Sequence, residues 1–72
     1  MRVKVDKRTY AMSKKEYLKL LEVASEQVPF GIYSVEKSNY AELRNDKCKS
    51  MTQLKALTRQ FRMNGFRVHA NK

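Results

Sequence analysis

A small α+β domain, two helices packed on one face of an antiparallel or mixed sheet, is the fold class this 72-residue sequence predicts. Two stretches carry apolar residues at helical spacing, and each opens with a serine followed three residues later by Glu or Gln. Between and around them lie short alternating segments rich in Val, Ile, Tyr and Thr, bounded by polar turn residues. No repeat, low-complexity tract or linker interrupts this pattern, so residues 1–72 read as one domain in the order hairpin, helix, hairpin, helix, strand.

The first hairpin is expected from Arg2-Val-Lys-Val5 and Thr9-Tyr-Ala-Met12 across Asp6-Lys-Arg8, with Val3, Val5, Tyr10 and Met12 inward and Arg2 and Lys4 outward. Ser13 with Glu16 forms a capping box, and Tyr17, Leu20, Leu21, Ala24 and Val28 share one helical face. Pro29 ends that helix near Gln27 or Val28, because the residue before proline resists helical geometry. Ile32–Val35 and Tyr40–Leu43 flank the turn residues 36–39 as a second hairpin, with Tyr33 and Val35 on one side and Ser34 and Glu36 on the other; a short helix from Tyr40 to Arg44, capped by Ser38-Asn39, is the alternative. Residues 44–49, RNDKCK, read as a loop. Ser50 and Gln53 open the second helix, whose apolar side is Met51, Leu54, Leu57, Thr58 and Phe61. Gly65 supplies its left-handed stop, and Phe66, Val68 and Ala70 alternate with Arg67 and His69 in a closing strand.

Composition narrows the function classes. A domain this short buries only about 60% of the surface its unfolded chain exposes, so its margin of stability is thin. One cysteine makes no internal disulfide, and one cysteine with one histidine makes no zinc site. A lone thiol fits a reducing cytoplasm, and the apolar runs are too short for a membrane span or a signal-peptide core. No cofactor is expected, because the two glycines open no phosphate-binding loop.

The net charge of +9 is unevenly distributed. Residues 1–15 hold six bases against Asp6, residues 16–42 two bases against five glutamates, and residues 43–72 eight bases against Asp46. Lys55, Arg59 and Arg62 follow i, i+4, i+7 spacing and form a stripe beside the apolar face of the second helix. Arg67, Arg2 and Lys4 extend it if their strands share an open face. These six are the candidate binding residues, with nucleic acid, either DNA or RNA, expected to meet them through its phosphates. An acidic protein surface is the alternative partner, and self-association into a homodimer is a third class. Tyr10, Tyr40 and Phe66 are candidate stacking groups that serve equally well as core residues.

Catalysis is not expected. His69 has no carboxylate or nucleophile at a useful spacing, Cys48 lies between Lys47 and Lys49 without a catalytic partner, and Glu22 with Glu26 reads as solvated helix surface. Gly31-Ile-Tyr33 matches half of the GIY-YIG nuclease signature. The second half is missing, since Tyr40-Ala-Glu42 stands where Tyr-Ile-Gly is needed.

Val28-Pro-Phe-Gly-Ile-Tyr33, Arg44-Asn-Asp-Lys-Cys48 and the segment from Leu57-Thr-Arg-Gln-Phe61 to Gly65-Phe66 resemble stretches of short uncharacterised proteins encoded by phages and prophages of Gram-positive bacteria. The resemblance brings no catalytic or binding residue with it. It implies a cytoplasmic accessory protein acting on phage or host macromolecules.

Overall fold

A computed structural model describes residues 1–72. Seven elements follow in order: β1 (Arg2–Val5), β2 (Arg8–Ala11), α1 (Lys14–Gln27), β3 (Gly31–Lys37), β4 (Tyr40–Lys47), α2 (Met51–Met63) and β5 (Arg67–Asn71). The strands form one mixed sheet, β2-β1-β4-β3-β5, in which only the β1–β4 pair is parallel. The α+β class, the two helices and the mixed sheet agree with the sequence reading. No helix is long and apolar enough to cross a membrane.

The helices do not share a face of the sheet. Ser34 is buried on the α1 side, its Oγ 2.6 Å from the Tyr17 hydroxyl. The next residue, Val35, is buried with Leu54 of α2. Successive strand residues point to opposite faces, so α1 and α2 cover opposite sides. The one-face layout expected from sequence is therefore overturned. The cause is visible in the Gly31–Val35 run, which is almost wholly buried because β3 lies between β4 and β5 in a sheet covered from both sides.

Under α1, Val3, Tyr17 and Ala41 form a core with Met1, Val5, Met12, Leu21 and Leu43 against it. Tyr10, expected inward, is 44% exposed because β2 is the sheet's outer strand and α1 does not reach over it. Ser13 Oγ accepts from the Glu16 amide, and Glu16 Oε1 accepts from the Ser13 amide, closing the predicted capping box. These bonds, with the Ser13 amide the largest cause, hold the Glu16 carboxyl below its ordinary range. At the other end of α1, Asn71 Nδ2 donates to the carbonyls of Ser25 and Val28, 2.9 Å from each. A side chain of β5 thus satisfies carbonyls that the end of a helix leaves without partners. Within the core, the Tyr17–Ser34 contact continues from Ser34 Oγ to the Glu42 carbonyl at 3.0 Å. Burial pushes the Tyr17 hydroxyl up from its ordinary value, the Ser34 bond opposing it.

On the opposite face, Ile32, Val35 and Leu54 are buried beneath Phe30, Leu57, Phe61, Phe66, Val68 and Ala70. Ser50 Oγ accepts from the Gln53 amide, while Gln53 Oε1 reaches past Ser50 to accept from the Lys49 amide. The end of α2 is a Schellman motif: the Phe66 amide donates to Phe61 and the Gly65 amide to Arg62. Gly65 has φ +86°, and the Phe61 and Phe66 rings meet edge to face at 6.0 Å. This stop sends the chain back along α2 as β5.

The residues read as a polar loop after Leu43 continue β4 to Lys47. On the α2 side of β4, Glu42, Arg44 and Asp46 form a charge ladder, Arg44 pairing with both acids and lying 4.9 Å from the Phe61 ring centroid. A bulge between Ile32 and Ser34 turns Tyr33 to the His69 ring, 6.1 Å away, instead of leaving it beside Val35. Both hairpins turn on a non-glycine residue with positive φ, Asp6 at 62° and Ser38 at 54°.

Candidate anion-binding groove

The stop at Gly65 lays β5 beneath one flank of α2, and a groove of about 660 Å³ runs between them. Met51, Leu54, Met63, Val68 and Ala70 give it apolar walls. Lys55, Arg59, Arg62 and Lys72 also line it, with Thr58, and no acidic residue does. Lys55, Arg59 and Arg62 arrive together because they follow i, i+4, i+7 along one helix, and Lys72 arrives from the end of β5. Lys72 was not among the residues singled out from sequence. Its place in the groove of Lys55 depends on the chain reversal at Gly65, which a count along one helix does not reveal.

The groove cations have no internal counter-charge. The acids nearest the middle of the sheet are already engaged: Glu42 and Asp46 by Arg44, and Glu36 by His69 at 2.7 Å. None of Lys55, Arg59, Arg62 and Lys72 belongs to an ion pair. The Glu36 carboxylate beside His69 was invisible from spacing, since the two lie 33 residues apart and meet only through the β3–β5 pairing. His69 faces Ser34 across the β3–β5 pairing and its ring lies 6.1 Å from that of Tyr33, while the Ser34 hydroxyl is itself engaged by Tyr17 and the Glu42 carbonyl.

The remaining candidates do not join the groove. Arg67 pairs in register with Glu36, which pairs with Ala41, and Ala41 is in the core beneath α1. Arg67 therefore projects from the α1 face, where it lines a separate polar hollow with Lys14, Glu36, Lys37, Ser38 and Gly65. Arg2 and Lys4 alternate with buried Val3 and so point away from the α1 core, as expected, but the face they take is the one α2 covers and not an open one. Their strand is three positions from β5, about 14 Å across the sheet. α2 and the Glu42–Arg44–Asp46 ladder stand between, and Lys4 pairs in register with Glu42. The six cations thus divide into a groove set, a lone arginine on the other face, and a pair beyond α2.

The stacking candidates are also elsewhere. Phe66 packs in the α2 core, Tyr40 is half-buried on β4, and Tyr10 is on the far edge strand. Burial, followed by the neighbouring Glu42 charge, raises the Tyr40 hydroxyl above its ordinary value. The outermost side of α2, opposite Leu54 and Phe61, presents Thr52, Ala56, Arg59 and Met63. Only one of these is charged, and the stripe as a whole leans toward β5. Comparison with protein-family models, with curated proteins and with solved structures finds no match to this chain.

Proposed function

We propose that this chain is a docking domain that holds an anionic partner in the α2–β5 groove, and that the partner is an acidic segment of another protein. The observation that carries this reading is the combination of unpaired cations with an apolar wall in one concavity. Phosphates alone would leave Met51, Met63, Val68 and Ala70 without a partner, whereas a polypeptide bearing both carboxylates and apolar side chains uses the whole surface. Met63, 78% exposed, and Met51, 41% exposed, set two large apolar groups in the same concavity as the cations.

Nucleic acid is the second reading, favoured by the acid-free run from Lys47 to Lys72 and the four cations it sends into the groove. It would be held by its backbone, because the groove has no aromatic for bases to stack on. Fluorescence anisotropy with a labelled acidic peptide, a generic duplex and a generic single strand at 150 mM salt separates the two. The first reading expects the peptide to bind and both nucleic acids to bind weakly. Tighter binding of either nucleic acid, with log affinity falling against log salt by about 0.7–0.9 per phosphate, overturns it in favour of the second. In either case Arg59→Glu with Arg62→Glu abolishes binding, and a double variant that still binds removes the groove as the site.

A further inference from the structure

We infer that the acidic segment docks as a sixth strand, pairing its backbone with the free edge of β5 while its carboxylates meet the α2 stripe. This rests on the docking reading above and adds the partner's conformation and sequence pattern. β5 ends the sheet, so the N–H and C=O groups along its outer side have no strand partner. Exposed edges recruit extended chains unless something blocks them, and β5 has no proline and no bulge of its own facing outward. It also differs from the opposite edge. β2 is four exposed residues that line no part of this groove, whereas β5 has a ready-made wall in α2.

The spacings of the wall fit a strand. Same-face positions on a strand recur about every 6.8 Å, and residues four apart on a helix rise about 6 Å. Two acids separated by one residue therefore match Lys55 and Arg59, with Arg62 and Lys72 lining the same groove. Met51 and Met63 stand about 18 Å apart along α2, against about 20 Å between the first and last of four same-face strand positions. The matching segment reads apolar-x-acid-x-acid-x-apolar. Its other face lies beside Arg67, His69 and Asn71, a polar row that asks for polar or acidic residues there. A second copy of this chain does not fit. Its net charge of +9 opposes self-pairing along this edge, and none of its own strands has that pattern.

The test uses the intact protein and a labelled peptide containing Val-Thr-Glu-Thr-Glu-Thr-Val, with two N-methylated forms. Alternate amides of a strand point to the same edge, so methylating one alternate set blocks one edge and methylating the other set blocks the opposite edge. Strand addition predicts that one methylated peptide loses about tenfold or more in affinity while the other stays within about twofold. Equal binding by both methylated peptides, still lost in the Arg59→Glu, Arg62→Glu protein, overturns strand addition but leaves acidic docking intact. Absence of binding by the parent peptide overturns strand addition, and the nucleic-acid titrations then decide whether the groove binds phosphate instead. A shuffled peptide of the same composition that binds as tightly as the parent also overturns the inference.

Discussion

The two sides of this sheet are finished to different degrees. On the α1 side every polar group taken inside has a partner: Tyr17 meets Ser34, Ser34 meets the Glu42 carbonyl, Asn71 closes the end of α1, and Glu36 meets His69. No buried side-chain nitrogen or oxygen of the chain lacks a hydrogen-bond partner. On the α2 side the inner layer is equally complete, but the β5 flank is left with unpaired cations beside exposed methionines. The contrast separates residues that build the fold from residues the fold merely carries. A small domain has little stability to spare, and four like charges gathered without counter-ions are the feature on which the docking proposal rests.

That division predicts a gradient of mutational cost. The largest effect is expected at Gly31, whose φ is +144° and whose missing side chain would collide with the Asp46 carbonyl in the neighbouring strand. Gly31→Ala should cost at least about 3 kcal/mol in urea unfolding, enough to leave much of the population unfolded. Next comes the buried hydroxyl pair. Ser34→Ala should cost about 2 kcal/mol because it strands the Tyr17 hydroxyl, while Tyr17→Phe should cost about 1 kcal/mol because Ser34 keeps the Glu42 carbonyl. In the double variant the orphaned hydroxyl is gone, so its cost should fall below the sum of the two. Additive costs would mean the pair does not act as a unit.

Asn71→Ala should cost about 1–2 kcal/mol and raise amide exchange in the last turn of α1, since two carbonyl bonds go with it. The groove should behave differently: Arg59→Ala with Arg62→Ala should move stability by no more than about 0.5 kcal/mol while weakening peptide binding. A groove double variant that unfolds as readily as Asn71→Ala would erase the distinction between the two sides. The smallest effect is on the pH dependence. The Tyr17 hydroxyl is raised by burial above 10.0, so the folded state holds its proton longer than the unfolded state does. Stability is therefore full below pH 10 and falls as pH climbs beyond it, and Tyr17→Phe should flatten that decline, leaving the part due to Tyr40. Glu16 has the opposite sign. Its lowered value contributes stability above pH 4.5 that fades as pH drops, and Glu16→Gln should blunt the acid side of the curve.

What the sequence disclosed follows the range of the interactions concerned. α1 was legible nearly to the residue, because its capping box, its apolar period and Pro29 are all local signals. The stop at Gly65 and the cationic stripe of α2 were legible for the same reason. β4 beyond Leu43 was not. Asn45, Asp46 and Lys47 carry turn chemistry, and only the Arg44 ladder and the β3 partner make a strand of them. The placing of helices on opposite faces was hidden in Ile32–Val35, a run that fits equally well under one helix or between two. The convergence of the cations failed for a related reason. One residue of register decides which face a strand side chain takes, and it put Arg67 on the other face of the sheet from Val68. Strand order, equally unreadable from pattern, set Arg2 and Lys4 apart from the groove.

The bond from Asn71 to the end of α1 gives β5 an unusual position, since it is the strand that grips one helix by a side chain while forming a trough with the other. Whatever settles along its outer rim also steadies the clasp behind it. Loading the trough should therefore slow hydrogen–deuterium exchange around Ser25 to Val28, on the other face of the sheet from the α2 stripe. In a domain of this size a single amide side chain spans the distance between the β5 rim and the end of α1, and unchanged exchange there on loading would show that the two move independently.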